Sequence, residues 1–208
     1  MRLHKLITTL CVFLMILGLV VTQANATTWD LNRSNVDLGI TGAFATVDIS
    51  VVGNTATFNI NANEALLVPP VTGGNFGIDK FFFNTTLSGI EVGDITFAPG
   101  WEVKTSENAS EFGLFEFEYK GTGNSRINPL TFTITDSSIL LPGNFYEANN
   151  DGFHFAAHIA GFTPLNGWDS AFFADGDQST PVPEPGTIVL LGAGLLGLGL
   201  FGRKRMKG

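Results

Sequence analysis

Between Thr27 and Pro181 this chain has no cysteine; its one cysteine, Cys11, lies in an N-terminal apolar run. Disulfides, thiol nucleophiles and cysteine metal sites are therefore excluded from that stretch, and packing or bound ions must stabilise it. Basic side chains are scarce as well. From Thr27 to Pro185, 19 Asp and Glu face five Lys and Arg. So acidic a surface repels nucleic acid and anionic lipid, and no nucleic-acid partner is expected. The same stretch has only two histidines, His154 and His158. On one straight strand they share a face about 13 Å apart, too far to ligate one metal directly. They also lack the intervening glutamate of a zinc-protease helix, so both read as structural. No G-x-S-x-G elbow and no glycine-rich nucleotide loop with a following lysine is present. No catalytic residue is assigned, and the chain is expected not to be an enzyme.

The two ends are different in character. Arg2, His4 and Lys5 precede the apolar run Leu6 to Val21, and Ala24-Asn25-Ala26 supplies a small-x-small site. This is the pattern of a signal peptide, residues 1–26, cleaved after Ala26. At the other end Val182-Pro183-Glu184-Pro185 is stiff and extended, because proline fixes its own φ and restricts its predecessor. Gly186 to Gly202 follows as 17 residues without a charge. As a helix they would span roughly 25 Å, the short end of what a bilayer requires. Arg203, Lys204, Arg205 and Lys207 close the chain with a basic cluster expected to stay cytoplasmic. A transmembrane helix over 186–202, with a basic tail at 203–208, is therefore expected.

The region between, residues 27–180, reads as one domain. Ala45, Val47, Ile49 and Val51 alternate with polar residues, and so do Ala56, Phe58, Ile60 and Ala62 beyond a Gly53-Asn54 turn. These two runs predict a hairpin. Phe81 to Phe83, Phe115 to Lys120, Leu130 to Ile134, Phe153 to Ile159 and Ala171 to Phe173 are further strand candidates. In Phe115-Glu116-Phe117-Glu118-Tyr119-Lys120 the aromatics are expected inside and the charges in water. Thr27 to Asn35 reads as an edge strand or lead-in, and Thr105 to Ser110 as a polar connection. The fold expected is all-β: a single antiparallel β-sandwich of about seven to nine strands. Of 19 phenylalanines, 17 fall in this domain and suit a core built without disulfides.

Two sets of side chains are candidate sites. Asp169, Asp175 and Asp177, with their hard oxygens, are candidates for calcium, although the closing glutamate of a twelve-residue calcium loop is missing. The competing reading of Asp175-Gly176-Asp177 is a solvated turn. Trp29, Trp101 and Trp168 are the candidate glycan contacts. No other cofactor is expected.

The C-terminal stretch resembles the PEP-CTERM sorting signal of Gram-negative bacteria, on Val182, Pro183, Glu184 and Pro185 and on the basic residues Arg203, Lys204, Arg205 and Lys207. The resemblance implies recognition by an exosortase, a membrane cysteine protease that removes the tail; these residues are acted upon and catalyse nothing. It further implies passage through the inner membrane, transient anchoring by the C-terminal helix, and a final place at the cell surface or outside the cell. Substrates of this kind are associated with extracellular polysaccharide and biofilm, so a structural protein of the surface or extracellular matrix is the leading expectation. A carbohydrate-binding module is the alternative, and a secreted glycosidase a weaker one.

Overall fold

The computed structural model describes residues 25–71, 75–138 and 140–176. Nine strands form one continuous sheet in the order β5-β6-β4-β8-β9-β1-β2-β3-β7, every neighbouring pair antiparallel. They are β1 (Asn25–Ser34), β2 (Ala45–Val52), β3 (Thr55–Ala62), β4 (Gly77–Phe83), β5 (Glu102–Asn108), β6 (Leu114–Lys120), β7 (Leu130–Thr135), β8 (Phe155–Leu165) and β9 (Trp168–Asp175). The β2–β3 hairpin pairs Ala45 with Ala62 and turns at Gly53, whose φ of 63° suits glycine.

This corrects the expected β-sandwich. Two separate sheets are not found; one sheet rolls over until its ends face each other. Phe58 of β3 packs on Phe83 of β4 with ring centroids 5.3 Å apart, although five places separate those strands in the sheet order. Tyr119 of β6 stacks on Phe132 of β7 at 4.5 Å, joining the two ends of the sheet across the core. The seam between them is laced by residues 95–98. Ile95 bridges Ile134, and the Thr96 amide donates to the Thr133 carbonyl. The Tyr119 hydroxyl donates to the Thr96 carbonyl at 3.1 Å and accepts from the Ala98 amide at 2.8 Å. Alternation along a strand is the same in a sandwich and in a rolled sheet, so it does not separate the two.

Three elements differ from their expected roles. Thr27 to Ser34 belongs to a central strand between β9 and β2, and the cut expected after Ala26 falls two residues inside it. Thr105 to Asn108 belongs to the end strand β5, whose Glu102, Lys104 and Glu107 place charge on an edge that would otherwise invite strand addition. In β6, Phe117 and Tyr119 enter the main core, while Phe115 joins a smaller cluster with Phe82, Phe112 and Ala156. Glu118 is buried rather than solvated, and Lys80 reaches it at 3.2 Å.

The strand β8 passes close to the 75–77 segment. Gly161 has φ 80°, and a Cβ there would lie 2.4 Å from the Asn75 carbonyl oxygen. Both the conformation and the space demand glycine. Gly161→Ala should lower stability by about 1–3 kcal/mol, seen as a lower urea midpoint with an unchanged slope.

Among the described residues no helix is long and apolar enough to cross a membrane. The span expected at 186–202 lies outside those residues, so the transmembrane helix, and the transient anchoring that depended on it, have no support here and are withdrawn.

Candidate functional site

The strand β9 carries the chain towards the sorting stretch and ends at Asp175. In sequence, Pro181, the first residue of that stretch, follows Gly176 by five peptide steps. Asp175 is fully buried and neither solvated nor open to an ion. Its Oδ1 accepts the His154 and Phe155 amides, both at 2.9 Å, and its Oδ2 meets His154 Nδ1 at 2.7 Å. The carboxylate thus closes the start of β8 and pins the last residue of β9. Asp169 is exposed near the opposite end of β9, six residues or about 20 Å away, so the two cannot share an ion. Asp177 lies outside the described residues. Among the described residues no group of three or more His, Cys, Asp or Glu could hold a metal.

The tryptophans are likewise scattered. Trp29 is 2 % exposed, with the His154 ring 4.4 Å from its own and Tyr146 at 5.4 Å. Burial raises the Tyr146 hydroxyl pKa; the Thr27 side chain offsets this in part without a hydrogen bond of good geometry. Trp101 is 7 % exposed, stacks on Tyr119 and donates from Nε1 to the Ser125 carbonyl at 3.0 Å. Trp168 is 49 % exposed beside the β8–β9 turn, where Asn166 and Gly167 have φ of 51° and 92°. Since β9 runs from Trp168 to Asp175, Trp168 stands at the opposite end of that strand from Asp175.

His158 makes a second histidine–aspartate pair, with Nδ1 2.5 Å from Asp79 Oδ1. Asp79 also accepts from Arg126 Nε at 3.0 Å, and Arg126 donates to the Asn75 carbonyl. A bulge between Ile78 and Lys80 turns Asp79 into this network, which ties the 121–127 loop to β4 and β8. No alternation pattern signals a bulged residue, so the role of Asp79 is not legible in the sequence. Burial alone would raise the Asp79 carboxyl, but His158 and Arg126 outweigh it and hold the pKa below the usual range. A depressed pKa stabilises the fold above the unfolded value of about 3.9, and that contribution disappears as pH falls through the folded value. Thermal stability should therefore drop on acidification below about pH 4, and Asp79→Asn should flatten that drop while lowering stability at pH 7. Melting curves from pH 7 to pH 3 measure both effects.

Residues 181–205 match the family model of the PEP-CTERM protein-sorting motif. No curated protein and no solved structure matches the chain significantly. The chain carries a PEP-CTERM sorting motif near its C-terminus, and that motif supports an exosortase-sorted surface or secreted protein.

Proposed function

We propose that residues 27–180 form a structural component of the cell surface or extracellular matrix, delivered by exosortase acting at Val182-Pro183-Glu184-Pro185. The sorting motif at 181–205 is the observation that carries this reading. Signal-peptide cleavage and passage through the inner membrane belong to the same proposal. The use of the aromatic rings supports the structural role. Phe58, Phe81, Phe83, Phe132 and Phe155 are all buried in one cluster with Trp29 and Trp101, so most of the large rings hold the fold together. Asp175 and Glu118 are consumed in the same way, by His154 and Lys80.

The test is location and consequence together. Antibody against the domain should label intact cells or their matrix, and deleting the gene should weaken matrix cohesion without altering growth of dispersed cells. Label confined to the cell interior would refute the proposal. The carbohydrate-binding alternative is favoured by Trp168, an exposed indole beside the β8–β9 turn. Such a ring could stack on a sugar face. Saturable retention on a glycan array that Trp168→Ala abolishes would establish that alternative.

A further inference from the structure

Two recesses meet at Glu116. The first, about 560 Å³, is lined by Ile90, Glu91 and Val92 on one side and by Thr105, Ser106 and Phe117 on the other. The second, about 370 Å³, is lined by Asn84, Thr85, Glu147 and Asn150. Both volumes lie in the range of small-molecule sites. Glu116 lines both recesses and is held from behind by two buried polar residues. Asn84 accepts the Glu116 amide through Oδ1 at 2.8 Å and donates from Nδ2 to the Glu147 carbonyl at 3.1 Å. The Thr85 amide donates to Glu116 Oε2 at 3.2 Å, and the Thr85 hydroxyl donates to the Asn144 carbonyl. The other Glu116 oxygen has no hydrogen bond among the described residues. A carboxylate oriented by buried neighbours, with one oxygen free beside an open recess, is a prepared acceptor. Ser106 adds a second sign. It holds a φ of 58° in the middle of β5, a conformation that costs a non-glycine residue free energy and that clusters at ligand-binding sites.

The lining selects the kind of ligand. Three carboxylates, Glu91, Glu116 and Glu147, repel anions. A divalent cation would require six or more oxygens, and the described residues gather no metal-binding group of three. Thr105 and Ser106 hydroxyls and the Asn150 amide offer donors and acceptors together, while Ile90 and Val92 offer apolar surface. A sugar presents the complementary mixture: hydroxyls that donate to carboxylate and C–H faces that cover aliphatic side chains. Burial and the Glu147 charge push the Glu116 pKa up, against the Thr85 amide, and a donating hydroxyl would relieve that pressure. We propose that the paired recess around Glu116 binds a neutral saccharide chain, with Glu116 as the central acceptor. The site is separate from Trp168, and it can fail without affecting the sorting reading.

The test is affinity electrophoresis of the full chain in native gels containing hydroxyethylcellulose or dextran, both neutral, or alginate, which is anionic. Mobility should fall in at least one neutral gel and stay unchanged in alginate. Glu116→Ala should weaken that retardation about tenfold or more. Gly93→Trp should do the same by filling the recess, since a Cβ at Gly93 meets nothing within 4 Å and the fold has room for it. Trp168→Ala should leave the retardation unchanged, and melting curves check that each variant is folded. Unchanged mobility in both neutral gels overturns the proposal. So does retardation that survives both recess variants, or that only Trp168→Ala removes.

Discussion

Replacing Pro183, Glu184 and Pro185 together by alanine should leave the protein exported but unprocessed in a host with the matching exosortase. The expected effect is close to all-or-none, because the substitution removes the recognition element and touches nothing in the folded domain. The motif lies beyond Asp175, the last residue of β9. Proline fixes its own φ and restricts its predecessor, so the Pro-Glu-Pro sequence is expected to present an extended context that a protease groove can grip. Alanine removes the restriction and the charge together. Fractionation should find the triple variant with residues 186–208 retained and absent from the surface or secreted fraction, while the domain keeps its melting temperature. Normal processing of the triple variant would remove the motif from the account.

Phe58→Ala should be the most damaging single substitution in the core. Phe58 is fully buried and lies against Phe83, Phe132, Phe145 and Phe81, with centroids from 4.7 to 6.2 Å. These rings come from β3, β4, β7 and the short 3-10 helix Pro142–Phe145 before β8, so the side chain holds together strands that the rolled sheet brings face to face. Removing a buried ring costs about 3–5 kcal/mol, since transfer energy and a cavity add. For a domain of this size that corresponds to a fall in melting temperature of roughly 10 °C. Phe97 provides the contrast: it is 46 % exposed and meets Tyr119 at 6.3 Å. Phe97→Ala should cost under about 1 kcal/mol. Equal losses at the two positions would contradict the rolled-core description.

Local pattern carried much of the strand content. The β2–β3 hairpin could be read from two alternating runs and a Gly-Asn turn, and its register follows from the turn. Long-range pairing could not be read in this way. That β1 lies between β2 and β9, or that β4 pairs with β8, depends on contacts more than a hundred residues apart in the first case and about eighty in the second. Strand β5 is nearly all polar, since a sheet edge facing water has one hydrogen-bonded side and little to bury. Its sequence therefore resembles a loop.

The site residues divide along the same line. The sorting motif is a linear element, legible because its recognition depends on residues in succession. Asp175 was equally visible, but its place in a buried pair with His154 requires β8 to lie beside β9. Glu116 looked like one of several charges on an alternating strand. What distinguishes it is the support from Asn84 and Thr85, more than thirty residues upstream.

The central claim is that exosortase sorts this chain through its C-terminal motif. The most direct measurement is the intact mass of the protein recovered from the cell surface and medium of a host with the exosortase and of the same host lacking it. The account predicts a product without residues 186–208 in the first host and none in the second, where only chain retaining those residues is found inside the cell envelope. Recovery from the surface of both hosts of the same product, with residues 186–208 retained, would contradict it.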